Sequence, residues 1–143
     1  MTKQQVSGMA GTFLVAAELA LMGYIPLLTS RNTKAADIAV FSEETLRNVN
    51  IQVKTNGPNT SDSFWLVGKG DSLPKPENFF YVLVKLRAKP SNPDFYVVPS
   101  RGIKRSMETD RAKTGSIWYS INKQSIVQFK DRWDLISKTL GSP

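Results

Sequence analysis

Apolar residues recur at helical spacing near the start of the chain and then alternate with polar residues in several short stretches. The first pattern predicts a helix over residues 7–22, with Ser7 as its N-cap and Gly23 directly after its end. The apolar positions that define this helix are Phe13, Ala16, Ala17, Ala20 and Leu21. The stretches that follow are rich in β-branched and aromatic residues, which predicts that the helix leads into a sheet.

The predicted strands cover residues 24–29, 37–42, 49–55, 64–67, 79–86 and 95–98. Turn-forming residues separate them, most clearly in the segment 56–62. Two further helices are predicted, a basic one over 101–112 and another over 130–140, and the pattern assigns no element to 117–129. This order predicts an α/β (or α+β) fold with a central mixed sheet of four or five strands flanked by helices. The length of 143 residues predicts a single domain over residues 1–143.

Composition narrows the chemistry that such a fold can support. The chain has no cysteine and no histidine, which excludes disulfides, thiolate or histidine zinc sites and histidine-based triads. Its 19 basic and 12 acidic residues give a net charge of +7, which favours a polyanionic partner such as nucleic acid. No uncharged apolar stretch reaches about 18 residues, and Glu18 interrupts the apolar run that superficially resembles a secretion signal. We therefore expect a cytoplasmic protein with no membrane partner.

Asp37, Gln52 and Lys54 are the residues whose placement on the predicted strands indicates chemistry. Asp37 opens the second predicted strand, while Gln52 and Lys54 point to one face of the third and Val53 points to the other. If the turn between these strands pairs them, Asp37 can lie opposite the polar pair. Burying such groups is costly unless they pair or bind a metal, and carboxylate, amide and backbone carbonyl oxygens are suitable ligands for Mg²⁺. Glu18 is a fourth candidate, since it is the only charge of the first predicted helix.

Asp37 followed by Gln52-Val53-Lys54 on the next strand resembles the core signature of the PD-(D/E)XK nuclease superfamily. The resemblance implies a restriction-endonuclease-like fold that hydrolyses the DNA backbone with Mg²⁺ or Mn²⁺. It implies that Asp37 is the principal metal ligand, that Gln52 and the Val53 carbonyl are further ligands, and that Glu18 is an accessory one. Lys54 would orient the attacking water or stabilise charge on the phosphate.

The first predicted helix carries Glu18 and leads through Gly23 and Tyr24 into a strand. This arrangement is similar to that of the Holliday-junction-resolvase-like branch of this superfamily. Members often pair, so the resemblance also implies a homodimer. The sequence departs from the commonest form of the signature at Gln52, where a carboxylate is usual. The amide removes one negative charge from the metal site and should lower its affinity for metal.

Residues outside this signature supply candidate contacts to a phosphate backbone. Arg101, Lys104 and Arg105 lie on the predicted basic helix, and Asn56 opens the loop that follows the Lys54 strand. The alternative for the basic helix is a solvated charged face. Further basic residues, whose faces the sequence does not determine, are Lys69, Lys75, Lys85 and Arg87. Tryptophan can stack on bases, and the sequence does not decide between stacking and core packing for Trp65 and Trp118. Core packing is the better expectation for Trp133, Tyr81 and Tyr96.

These features support three hypotheses. The leading one is a metal-dependent DNA nuclease in which Glu18, Asp37 and Gln52 hold Mg²⁺ and Lys54 assists the attacking water. The alternative is a catalytically weak or inactive protein of the same fold that binds nucleic acid or another partner. The third is a basic α/β protein whose polar strand face is merely solvated.

Overall fold

The computed structural model describes residues 1–30, 36–69, 75–89 and 91–143, which form three α-helices and eight strands. The helices are α1 (Lys3–Leu21), α2 (Ser100–Ser106) and α3 (Asp134–Leu140). The strands are β1 (Ile25–Leu28), β2 (Ile38–Phe41), β3 (Asn48–Asn56), β4 (Phe64–Lys69), β5 (Phe79–Lys85), β6 (Asp94–Pro99), β7 (Met107–Arg111) and β8 (Ile117–Asn122). Two short 3₁₀ turns, Lys123–Ser125 and Val127–Phe129, connect β8 to α3. None of the helices in the described part of the chain is both long and apolar enough to cross a membrane.

Five strands form the central sheet in the order β1-β2-β3-β5-β6. The neighbours β3 and β5 are parallel, and all other neighbours are antiparallel. The expected α/β fold with a mixed central sheet flanked by helices is confirmed. A second, antiparallel sheet in the order β4-β8-β7 was not expected. Its middle strand, β8, falls in the segment 117–129, to which the sequence pattern assigns no element.

One face of the central sheet is covered by α1 and α3. Val49, Ile51 and Val53 point to this face from β3 and are buried. They share a core cluster with Val15 of α1 and Ile136 of α3. Because successive residues of a strand point to opposite faces, the polar residues between them project to the other side.

The other face of the central sheet packs against α2 and the second sheet. Tyr81 of β5, Ile103 of α2 and Trp65 of β4 belong to its core cluster. Gln52 and Lys54 project from β3 to this side and are only half-buried. The second layer therefore covers β5 and β6 more completely than the polar stretch of β3.

The first helix begins at Lys3, four residues before the predicted start. Thr2 accepts a hydrogen bond from the main-chain N–H of Gln5, and the Gln5 side chain accepts one from the main-chain N–H of Thr2. This capping box satisfies main-chain donors at the helix start, so Ser7 lies inside the helix and the prediction that it caps it was wrong. Gly23 follows the helix end as predicted, with φ of 91°.

The basic helix predicted over 101–112 ends at Ser106, and Met107–Arg111 forms β7 instead. β7 is paired along its whole length with β8, and such pairing within a sheet overrides a weak local preference for helix. The last helix likewise begins at Asp134 rather than near residue 130. The predicted strands are all present, with ends shifted by one or two residues.

The packing of α1 on β3 gives a prediction for two glycines of the same helix. A Cβ at Gly11 would lie 1.9 Å from Oγ1 and 2.9 Å from Cβ of Thr55, whereas a Cβ at Gly8 would meet nothing within 4 Å. Threonine is stiff about χ1, so we expect Gly11→Ala to lower the free energy of unfolding by about 1–3 kcal/mol. Gly8→Ala should raise it by about 0.5–1 kcal/mol.

Urea unfolding of the two variants beside the parent protein measures this difference. Both substitutions add one methyl group to α1 and change helix propensity equally, so the pair isolates the contact with Thr55. Equal stability of the two variants would contradict the close approach of α1 to β3.

Candidate functional site

Asp37 is fixed to β3 through both its main chain and its carboxylate. Its N–H donates to the carbonyl of Ile51 at 2.8 Å, and its Oδ2 accepts from the N–H of Val53 at 2.7 Å. The register of β2 on β3 pairs Ile38 with Ile51, so Asp37 continues that register and lies opposite Gln52. The two predicted strands do pair, and the carboxylate is held beside the Gln-Val-Lys stretch.

Three groups that carry oxygen atoms lie near one another where β2 begins. The N–H and C=O of a strand residue point to the same neighbouring strand, and the N–H of Val53 points to Asp37. The Val53 carbonyl therefore also points to the Asp37 side, beyond the start of β2. Gln52 projects from the polar face of β3 at the same level, because residues opposite each other in an antiparallel pair share a face. The carboxylate, the amide and this carbonyl are thus neighbours.

Lys54 follows Gln52 on the polar face of β3. In the parallel register with β5, Gln52 lies beside Tyr81 and Lys54 beside Leu83. Both of these β5 residues are fully buried, so Gln52 and Lys54 stand at the border between the second core and solvent. A Lys placed there can reach a phosphate while its stem packs on apolar surface.

Glu18 comes from the opposite side of the sheet. It is half-buried in α1 and lies seven residues, about two turns, after Gly11, which faces Thr55 of β3. Since α1 covers the face that carries Ile51 and Val53, Glu18 lies on a different layer from Gln52 and Lys54. The structure brings Asp37, Gln52 and Lys54 together, and the role of Glu18 stays a prediction.

The cations of α2 lie on the same side of the central sheet as Lys54. Ile103 anchors α2 in the core cluster that contains Tyr81 and Leu83. On the outer side of this short helix Arg101, Lys104 and Arg105 are all exposed. The three candidate phosphate contacts are therefore exposed to solvent on that side of the sheet, and their role stays a prediction.

The loop 57–63 follows β3 directly and is held by buried and half-buried side chains. The Asn56 amide donates to the carbonyls of Ser61 at 3.1 Å and Phe64 at 2.7 Å. Its side-chain nitrogen is thus engaged in bracing the loop, while its role as a contact to nucleic acid stays a prediction. Arg87 is hydrogen-bonded to both Asp62 and Asp94, which ties the far end of the loop to β6.

Burial raises the pKa of Asp62, but the hydrogen bond and charge of Arg87 and the charge of Lys123 outweigh burial and lower it overall. Asp62 therefore stays ionised over the neutral range and retains both ion pairs. Arg87 is engaged with two carboxylates, and we do not count it among the surface cations available to a polyanion.

Lys85 is the residue whose role the sequence pattern missed. It is almost fully buried, and its Nζ donates to the carbonyls of Gly57 at 2.7 Å, Thr60 at 2.8 Å and Pro58 at 3.4 Å. Lys85 is therefore not available as a contact to a phosphate backbone. The available signal was its place at the end of the most hydrophobic strand, where a buried lysine requires several acceptors.

The aromatic residues are mainly structural. Trp65 is buried and donates from Nε1 to the carbonyl of Val84 at 3.0 Å, so it cannot stack on bases. Trp133 packs edge-on against Phe95 with 5.4 Å between ring centres, as expected for a core residue. Tyr81 and Tyr96 are buried, also as expected, and burial raises the pKa of the Tyr96 hydroxyl.

Comparison of the whole fold identifies a similar nuclease structure. The chain matches a solved structure described as a bacterial homing endonuclease, I-Ssp6803I, with a TM-score of 0.64 and 15% sequence identity. The match covers 96% of this chain and 95% of that chain. No family model matches the sequence, and no curated protein matches it significantly. At this identity the likeness shows that the chain has the fold of that endonuclease.

Proposed function

We propose that this protein is a metal-dependent DNA nuclease of the PD-(D/E)XK type. The observation that carries the proposal is the position of Asp37, whose carboxylate accepts from Val53 N at 2.7 Å. This bond places Asp37 opposite Gln52, with Lys54 next on the same strand face. The fold that this chain shares with a protein described as a homing endonuclease adds support.

The donors around Asp37 suit a hard divalent cation. A carboxylate, an amide and a backbone carbonyl are oxygen ligands, and Mg²⁺ is commonly held by one or two carboxylates with water completing its octahedron. Within the described residues, no group of three or more His, Cys, Asp or Glu side chains converges. The site would therefore carry little negative charge, with Asp37 as its principal ligand and Glu18 as accessory. When bound, Mg²⁺ or Mn²⁺ supplies electrophilic activation of the phosphate and a more acidic water.

The remaining groups would position the nucleic acid. Lys54 would orient the attacking water or stabilise negative charge that develops on the phosphate. Arg101, Lys104 and Arg105 would contact neighbouring phosphates, because they are exposed on the same side of the sheet. The net charge of +7 favours a polyanion. We propose duplex or branched DNA as that polyanion and a homodimer as the acting species.

Incubation of the purified chain with supercoiled plasmid and with a four-way DNA junction tests the proposal. We expect cleavage with Mg²⁺ or Mn²⁺ and none with a chelator. Cleavage that survives the chelator would overturn the metal dependence. A lack of cleavage on both substrates, together with salt-sensitive DNA binding, would favour a binding protein of the same fold. The low charge of the site, with Gln52 in place of a carboxylate, is the observation that favours this second candidate.

Gln52→Glu should convert a weak metal site into a stronger one. The substitution keeps the shape of the side chain and adds one carboxylate beside Asp37, so the apparent affinity for Mg²⁺ should rise about tenfold, an effect of roughly 1.4 kcal/mol. The measurement is the Mg²⁺ concentration that gives half-maximal cleavage. Asn50→Asp is the matched control, because Asn50 lies on the same face of β3 two residues earlier and pairs with Ala39 rather than with Asp37. An equal shift in both variants would mean that general charge, not the site, controls the metal dependence.

A further inference from the structure

The outward face of α1 is apolar from Val6 to Leu21. Gly11, Val15 and Leu19 are the buried residues that face the sheet. On the opposite side, apolar residues recur every three or four positions and form what we call the α1 face. Its members are Val6, Met9, Phe13, Ala17, Ala20 and Leu21. Val6 and Phe13 are each 53% exposed and Leu21 is 84% exposed.

This distribution of apolar and charged residues is the reverse of that on an ordinary surface helix. A helix on a protein surface normally buries one apolar stripe and turns charged residues to solvent. After Lys3, the only charge of α1 is Glu18, which lies on the sheet-facing side near Gly11 and Leu19. A helix that is apolar on both sides is typical of one that is buried on both sides. The α1 face therefore indicates a second contact surface.

The edge strand β1 continues this apolar surface. β1 contacts α1 and lies at the end of the central sheet. Leu28 is half exposed and lies on the α1 side of β1, because it pairs with the buried Ile38, whereas Leu27 points to the other face of the sheet. Pro26 lies within this four-residue strand and has no N–H to donate. Addition of another strand at this edge is therefore disfavoured, and a partner would pack on the side chains.

The apolar area is large enough to contribute most of a stable interface. The large apolar residues on the α1 face and on the α1 side of β1 are Val6, Met9, Phe13, Leu21 and Leu28. With about 150–200 Å² for each fully exposed residue, their exposed fractions correspond to roughly 400–550 Å² of surface. A standard interface buries about 800 Å² on each partner. Ala17, Ala20 and the main chain of α1 can supply the difference.

We propose that the α1 face and β1 form the interface between two copies of this chain, with α1 packed against α1 of the second copy. Two copies that each carry a net charge of +7 repel one another, so their contact should form where basic residues are missing. The α1 face meets this requirement, because none of its members is charged. Since α1 covers the sheet face opposite Gln52 and Lys54, pairing through α1 leaves the proposed nuclease site open.

The mass of the full chain in solution tests this interface. Sedimentation or light scattering should give twice the 15.9 kDa of the chain, with no dissociation as salt is raised, because the contact is apolar. Phe13→Glu should yield a monomer of the same helical content. Leu66→Glu is the matched control: Leu66 is 54% exposed, but it lies on β4 in the second sheet. A monomeric parent chain, or dissociation by Leu66→Glu instead of Phe13→Glu, would overturn the proposal.

Single cysteine substitutions give an answer that does not depend on the folding of Phe13→Glu. The chain contains no cysteine, so Phe13→Cys or Ala17→Cys supplies its only thiol. Under mild oxidation either variant should form a disulfide-linked dimer, whereas Leu66→Cys should remain a monomer on a non-reducing gel. Cross-linking through Leu66→Cys alone would contradict an α1 interface. Because these readouts do not use DNA, they remain valid even if the chain cleaves nothing.

Discussion

Asp37→Asn should reduce Mg²⁺-dependent DNA cleavage about 10³-fold or more, the scale of loss seen when a principal electrostatic group is removed from an active site. The variant should remain folded, since an Asn oxygen can accept the same hydrogen bond from Val53 N that Asp37 Oδ2 accepts now. What it removes is the negative charge nearest to Gln52 and the Val53 carbonyl. Rates of plasmid nicking, measured beside thermal unfolding, separate loss of catalysis from loss of fold.

A second variant and a control sharpen this expectation. Lys54→Met should lower the rate about 10²–10³-fold while leaving metal binding by calorimetry nearly unchanged, because Lys54 is not proposed as a ligand. Asp37→Asn should abolish the calorimetric signal for Mn²⁺. Glu44→Gln removes the same charge from the exposed turn between β2 and β3 and should behave like the parent chain. Similar rates for Asp37→Asn and Glu44→Gln would refute the assignment of the site.

The core of this site could be predicted from sequence because two strict local rules act on it. The period-two alternation of β3 decides that Gln52 and Lys54 share a face while Val53 is buried. A short charged turn between two strands then favours antiparallel pairing, which brings Asp37 opposite Gln52. The position of Glu18 depends on how α1 rests on the sheet, and no local pattern fixes that packing. Of the four candidate residues, Glu18 is therefore the one whose position the sequence determines least.

The second sheet could not be predicted because its strands are specified by their partners in the sheet and not by a local pattern. β4 pairs with β8, more than fifty residues later in the chain, and β7 pairs with the other edge of β8. Met107–Arg111 has a local composition compatible with a helix, and only the neighbouring β8 makes it a strand. A helical extension of α2 would have placed Arg111 on the same helix face as Lys104, two turns further on. The strand separates them, so the basic surface of α2 is shorter than the sequence indicates.

Lys85→Met should lower the free energy of unfolding by about 3 kcal/mol, and for a chain of this size the melting temperature should fall by roughly 10 °C. The Met side chain fills nearly the same space but donates no hydrogen bond. An ammonium group has three N–H donors, and the carbonyls of Gly57, Pro58 and Thr60 accept them inside the protein. Loss of the donors leaves these carbonyls without their partner, and the bond to the Gly57 carbonyl is shielded from water.

The size of this effect should distinguish a buried lysine from a surface lysine that contacts the same loop. Lys123→Met removes a half-exposed partner of Asp62 and should change the free energy of unfolding by about 1 kcal/mol or less. Chemical denaturation of both variants measures the difference. Similar values for the two would contradict the buried network. Because the loop that Lys85 holds follows the Lys54 strand directly, Lys85→Met should also slow any cleavage that depends on Lys54, even at temperatures where the chain remains folded. A variant that is strongly destabilised but cleaves at the parental rate would show that the loop 57–63 supports the fold and not the site.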